Sequence, residues 1–192
     1  MTRIKFCGLK RQEDVHFAIE RADYIGFVFA PSKRQVTLTE AARLRAEIPE
    51  TVQVVGVFVS PTKQEVEEAI EQVGLDLIQL HGQVPDELYR EKRVPVIQAL
   101  AAGTQITVHP DADYVLFDAP EAGSGQTFDW TTDLRVDQPM FVAGGLQADN
   151  VGQVIERYQP FAVDVSSGIE TNGRKDTKKM QAFHDAVKET FK

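Results

Sequence analysis

The stretch from Gln138 to Glu170 constrains the fold more than any other part of the chain. It reads QPMFVAGGLQADNVGQVIERYQPFAVDVSSGIE. A short apolar run, Met140-Phe141-Val142-Ala143, ends at once in Gly144-Gly145. A helical pattern follows, with Val151, Val154, Ile155 and Tyr158 spaced i, i+3, i+4, i+7. A second apolar run, Phe161 to Val165, ends in Ser166-Ser167-Gly168. Two strand–turn units on neighbouring parallel strands are expected. Turns rich in Gly and Ser let backbone N–H groups approach an anion, and a following helix N-terminus adds favourable partial charge. Together the two turns predict a cup for one phosphate group. In a (β/α)8 barrel such a cup lies after strands seven and eight, so the rest of the chain must supply six strands.

Six further apolar runs are present. They are Arg3 to Phe6, ending in Cys7-Gly8; Tyr24 to Phe29; Val52 to Phe58; Leu75 to Leu80, closing on His81-Gly82; Pro95 to Leu100; and Tyr114 to Phe117, ending in Asp118. Helical stripes follow most of them: Val15, Ala18, Ile19 and Ala22; Ala41, Leu44 and Ile48; Val66, Ala69, Ile70 and Val73. Ser60-Pro61 is expected to cap and open the third helix. A short helix is expected from about Pro85, and Met180, Phe183, Val187 and Phe191 mark a final one. Gly103–Asp113 and Ala119–Asp137 carry little helical signal, beyond a brief helix around Trp130–Leu134. Alternating strands and helices mean a parallel sheet. The expectation is a single (β/α)8 TIM barrel over residues 1–192, with reduced helices after strands five and six. The rival, an open doubly wound sheet, would place a glycine-rich turn after its first strand. Here that turn is Cys7-Gly8-Leu9-Lys10, and neither GxGxxG nor GxxxxGK[ST] occurs.

The formal charge of −8 argues against nucleic acid, which selects basic patches. It leaves room for a small phosphorylated substrate, whose binding depends on local dipoles. One cysteine excludes an internal disulfide, and no metal-ligand spacing links it to the four scattered histidines. No run approaches 18 apolar residues and no signal peptide is legible. A cytoplasmic protein without membrane contact, monomer or homodimer, is expected.

Polar residues at the C-terminal ends of barrel strands are the catalytic candidates. Cys7, Arg34, His81, Asp118 and Asp164 qualify, together with Gly144, Gly145, Ser166, Ser167 and Gly168 of the cup. A lone cysteine is commonly an inert buried residue; at a strand end its thiolate is a base or nucleophile. Asp118 either caps the next loop or is a general acid. Strands one and six would set Cys7 and Asp118 across one mouth, an arrangement suited to proton-shuttling isomerisation. Arg34 is either a solvated loop residue or the partner of a second anion, such as a carboxylate. His81 is either a satisfied half-buried histidine or part of the pocket. His16, His109 and His184 fall away from the mouth and read as structural.

In register, IKFCGLK at 4–10, FAPSKRQV at 29–36, VVGVF at 54–58, IQLHG at 78–82, LFDAPEAGSGQTFDW at 116–130, VAGGLQADNV at 142–151, VDVSSGIE at 163–170 and GRKDTKKM at 173–180 resemble the phosphoribosylanthranilate isomerases of tryptophan biosynthesis. The resemblance spans nearly the whole chain. It implies a barrel enzyme that performs an Amadori rearrangement of N-(5-phospho-β-D-ribosyl)anthranilate without a cofactor. It further implies Asp118 as general acid, Cys7 as general base, Arg34 on the anthranilate carboxylate, His81 in the pocket and Asp164 on sugar hydroxyls. Gly144, Gly145, Ser166, Ser167 and Gly168 would hold the phosphate. Lys10, Gln35 and Ala122 depart from the family pattern, which has a hydroxyl residue, an aromatic and a glycine there. Two other readings stand beside this one. A histidine-pathway sugar-phosphate isomerase would carry an aspartate where this chain has Cys7. A non-catalytic phosphate-binding module would need the cup but not the Cys7/Asp118 pair.

Overall fold

The computed structural model describes residues 1–101, 107–118, 134 and 136–190. Eight parallel strands close into a barrel: β1 (Arg3–Cys7), β2 (Tyr24–Val28), β3 (Gln53–Val59), β4 (Leu77–His81), β5 (Val96–Ala101), β6 (Tyr114–Asp118), β7 (Met140–Val142) and β8 (Ala162–Val165). β8 returns to β1 with Asp164 opposite Lys5, so the sheet has no edge. Each expected apolar run holds one strand. β4 starts later than its run because Asp76 has another task. Its backbone N–H donates to Val54 O while its carboxylate accepts the Val54 N–H at 2.7 Å. Asp23 does the same for Ile4 of β1, and Asp113 for Val96 of β5. In each case an aspartate just before an even-numbered strand satisfies a backbone N–H at the start of the strand before it.

The outer helices are α1 (Gln12–Ala18), α2 (Leu38–Arg45), α3 (Lys63–Ala69), α4 (Glu87–Arg90), α5 (Val151–Tyr158) and α6 (Thr177–Glu189). Their stripes bury as the spacing requires: Val66 and Ala69 of α3, Val151, Val154 and Ile155 of α5, Met180, Phe183 and Val187 of α6. The cap expected at Ser60-Pro61 is misplaced. Thr62 accepts from Glu65 N, and the Glu65 carboxylate accepts from Thr62 N, a capping box that sets the first turn at Lys63. Ser60 instead turns at φ +47° and its Oγ accepts from Gln83 N. Among the described residues no helix lies between β5 and β6 or between β6 and β7; most of the second interval lies outside them. The brief helix expected around Trp130 and the Ala122 position lie outside the described residues.

A two-stranded hairpin, β9 (Glu170–Thr171) and β10 (Arg174–Lys175), follows β8 and was not expected. Asn172 and Gly173 form its two-residue turn, with φ of +52° and +75°. Positive φ at both positions selects Asn-Gly.

Strand alternation sorts the barrel. Ile4, Phe6, Ile25, Phe27, Val163 and Val165 pack outward under the helices, whereas Cys7, Tyr24, Val55, Leu77, Ile97, Leu116, Phe141 and Ala162 fill the interior. Tyr24 and Tyr114 meet Phe141 edge-on, with centroids 5.4 and 5.6 Å away. Polar chemistry is therefore confined to the other end.

Candidate active site

Side chains two apart on a strand share a face, and from their midpoints onward four strands carry polar residues in phase with the interior. They supply Lys5 and Cys7, Gln79 and His81, Asp118, then Asp164 with Ser166 just beyond its strand. All but Lys5, which is buried beneath, line a cavity of about 260 Å³ at the C-terminal mouth, with Arg34, Gly144, Gly145 and Ser167. Every residue expected at the site lines it except Gly168. Gly168 stands behind the wall, where a Cβ would fall 1.9 Å from Leu146 O. It is the point at which the turn after β8 rests on the turn after β7. A larger cavity, about 640 Å³, opens at the opposite end beside Arg3 and Phe161. Arg3 already lies over the Phe161 ring there, at 4.3 Å.

The two turns meet as a cup, but no helix begins directly behind either. After β7 the chain runs to Val151 before α5 starts, with Asn150 donating to Gly145 O and accepting from Gln147 N. After β8 a single 3-10 turn, Ser167–Ile169, leads into the hairpin. Loop N–H groups therefore have to provide the anion contacts, with Gly144 and Gly145 at φ of +90° and +65°.

At the end of β1, Cys7 is held by its backbone: Ser166 Oγ donates to Cys7 O at 3.0 Å. Burial pushes the thiol above its ordinary value; Lys5 pulls it down and Asp164 adds to the rise. Lys5 is wholly buried, and its Nζ donates to Asp164 Oδ2 at 2.7 Å. Burial works to lower its pKa, but Asp164 raises it, so Lys5 stays charged beside the thiol. His81 is lowered to about 4, by burial first and by Lys5 second. Neutral at pH 7, it pairs through Nε2 with the Gln79 side-chain amide at 2.7 Å. Half-buried and lining the cavity, His81 satisfies both of its readings. Gln79 Oε1 and Asp164 Oδ1 are buried and have no partner among the described residues. Two acceptors at a cavity wall are suited to hydroxyl donors. Asp118 ends β6, partly exposed on the same wall.

Arg34 is engaged from behind. Its Nε donates to Glu170 Oε1 at 2.6 Å and its Nη2 to Oε2 at 3.0 Å. Lys175 Nζ donates to the same Oε1 at 2.9 Å and to Ser166 O at 2.9 Å. Burial alone would raise the Glu170 pKa; the hydrogen bonds from Arg34 and Lys175 outweigh it and hold the carboxyl at about 2. Gln79, Glu170 and Lys175 were not among the candidates. An amide in phase with a strand-end candidate, as in IQLH, was the available signal for the first. The remaining histidines stand apart: His16 beside Glu47, His109 stacked on Tyr89, His184 beside Asp185. Of the family departures, Lys10 donates to Lys33 O and Gln35 to Phe29 O, both on the rim.

Residues 4–186 match the family described as N-(5'phosphoribosyl)anthranilate (PRA) isomerase. A protein of Streptococcus pneumoniae (strain Hungary19A-6) named N-(5'-phosphoribosyl)anthranilate isomerase is 55% identical over 194 residues, covering 98% of this chain and 96% of that one. The crystal structure of phosphoribosyl anthranilate isomerase from Thermus thermophilus superposes with a TM-score of 0.89 at 30% identity, over 98% of this chain and 99% of that one. A phosphoribosyl anthranilate isomerase in complex with reduced 1-(o-carboxyphenylamino)-1-deoxyribulose 5-phosphate gives a TM-score of 0.81 at 33% identity, over 98% of this chain and all of that one. With its closed barrel and its mouth built from β1, β6 and the turns after β7 and β8, the chain belongs to the N-(5'-phosphoribosyl)anthranilate isomerase family.

Proposed function

We propose that the chain converts N-(5-phospho-β-D-ribosyl)anthranilate to 1-(2-carboxyphenylamino)-1-deoxy-D-ribulose 5-phosphate by general acid–base catalysis. Asp118 protonates the furanose ring oxygen. The C1–O bond breaks as the nitrogen lone pair forms an iminium. The Cys7 thiolate then takes the proton from C2, giving an enolamine that gains a proton at C1 and loses one from its hydroxyl to become the ketone. The iminium is the electron sink, so the chemistry requires no cofactor. Gly144, Gly145, Ser166 and Ser167 hold the phosphate, with Gly168 fixing the distance between their turns. Arg34 takes the anthranilate carboxylate on the guanidinium edge that Glu170 leaves open. Asp164 Oδ1 and Gln79 Oε1 accept sugar hydroxyls, beside His81. A thiol acting as base must stay reduced, which supports a cytoplasmic setting.

The observation that carries this reading is the shared cavity. Cys7 and Asp118 enter it from β1 and β6, three strands apart, beside the turns for a phosphate and an arginine for a carboxylate. A phosphate-binding module would need only the turns. The test is turnover of the substrate, followed by the loss of its anthranilate fluorescence. No turnover by the folded protein would leave the binding-module reading in its place.

A further inference from the structure

The hairpin β9–β10 has no counterpart in a minimal strand–helix unit, yet it is pinned on every side. Asp176 N donates to Ile169 O, Thr171 Oγ1 to Asp176 Oδ2 at 2.8 Å, Lys179 Nζ to Glu170 O at 2.7 Å, and Arg11 Nη2 to Lys175 O at 3.2 Å. Glu170 and Lys175 stand directly opposite each other in its register. Both side chains are nearly sealed from solvent, at 7% and 3% exposure, while the turn between them is exposed. A two-residue ladder with a polar inner face contributes little to a core. Its inner face instead delivers one carboxylate to Arg34.

We propose that Glu170 is a positioning residue for the reaction: carried by the hairpin, it fixes the plane and reach of the Arg34 guanidinium, so that the open edge meets the substrate's carboxylate already oriented. The inference rests on the assignment of that carboxylate to Arg34. A guanidinium has five N–H donors in a planar fork. Glu170 takes one from Nε and one from Nη2, which locks the fork and, among the described residues, leaves the Nη1–Nη2 edge for a second carboxylate. Arginine side chains lose about 2 kcal/mol of rotamer entropy when fixed; a fork fixed before binding loses less of it on binding. Charge does not cancel at the site. Lys175 shares the same carboxylate, and Lys33 Nζ lies 3.7 Å from it, so the cluster stays cationic toward an anionic ligand.

Glu170→Gln tests this. Glutamine keeps an acceptor for Lys175 but cannot accept both Arg34 bonds. KM should rise roughly 10-fold with kcat within about 3-fold, the signature of lost uniform binding. In an Arg34→Ala background, where KM is already high, Glu170→Gln should add less than about 2-fold, because the two residues act as one unit. Inhibition by inorganic phosphate should stay within about 2-fold, since Lys175 keeps its bonds to Ser166. Glu170→Asp, which retains the charge but draws it back by one methylene, reads the same quantities if the glutamine variant does not fold. An unchanged KM, a rise that multiplies with that of Arg34→Ala, or an equal weakening of phosphate inhibition would each overturn the proposal. The first two would leave Arg34's own role standing. A normal KM for Arg34→Ala alone would remove the carboxylate assignment, and this inference with it.

Discussion

Gly168→Ala is the sharpest probe of the phosphate cup. The added Cβ would lie 1.9 Å from Leu146 O, 3.0 Å from Leu146 C and 3.2 Å from Gln147 Cγ. Ordinary Cβ contacts begin at 3.4 Å, so the two turns must part by roughly 1.5 Å. Both sides of the nearest contact are backbone, and no rotamer change relieves it. N–H groups set about 2.9 Å from a phosphate oxygen would retreat past 4 Å on one side, beyond hydrogen-bond range. Hydrogen bonds to a charged group are worth about 1.5–3 kcal/mol. Losing one side of the cup thus costs roughly 10- to 100-fold in affinity. The overpacking itself should cost about 1–3 kcal/mol of stability. The assay is KM by fluorescence, the inhibition constant of inorganic phosphate, and a thermal melt to establish that the variant is folded. A destabilised but folded variant with KM and phosphate inhibition both unchanged would show that the phosphate is not held between these turns.

Cys7→Ser and Asp118→Asn should each lower kcat by about 10²–10⁴-fold, the span for a positioned proton-transfer group, with the fold retained; near-full turnover of either under chemistry-limited conditions removes that residue from the mechanism. Asp164→Asn, which removes one of the buried acceptors on the cavity wall, should raise KM; an unchanged KM would deny it a contact with the sugar. Glu170 titrates near 2 when folded against an ordinary 4.5. Its contribution of about 3 kcal/mol is therefore complete above pH ~4.5 and lost as pH falls from there through about 2. Denaturant titrations should show wild type losing this increment on acidification and Glu170→Gln lacking it; parallel curves would refute the assignment.

Apolar runs betrayed all eight strands because a parallel barrel buries both faces of each, leaving little ambiguity of period. The strand-end rule found Cys7, His81, Asp118 and Asp164, but it searches one layer only. Lys5 and Gln79 lie one inward step deeper, inside the apolar runs. The Arg34–Glu170 pair joins residues 136 apart, with no local pattern to announce it. Hairpin β9–β10 did have a signal in Asn172-Gly173, lost because strands of two polar residues look like loop. The recurring ADY of residues 22–24 and 112–114 was likewise legible, yet its meaning needs the barrel. Only in three dimensions do Asp23 and Asp113 face the orphaned N–H of the preceding strand. Thr62-x-x-Glu65 outranked Ser60-Pro61 because a capping box satisfies two donors, where proline at the first turn merely avoids a loss.

The formal charge of −8 and a substrate carrying a phosphate and a carboxylate are compatible for a reason visible at the mouth. Surface charges farther off than about 8 Å are largely screened at physiological salt, whereas groups on a cavity wall act through a poorer dielectric. What matters is the local arrangement, and there Lys5, Lys33, Arg34 and Lys175 outnumber Asp118 and the paired carboxylates Asp164 and Glu170. Those two carboxylates do more than offset charge. A lysine buried alone gives up its proton. Asp164 raises the Lys5 pKa against burial, and Glu170 resists the burial that lowers that of Lys175. Each carboxylate therefore helps keep a cation charged at the point where an anion is to be held. Glu170 does so while also aiming Arg34, which is why a residue that need not touch the substrate can govern how well it is bound.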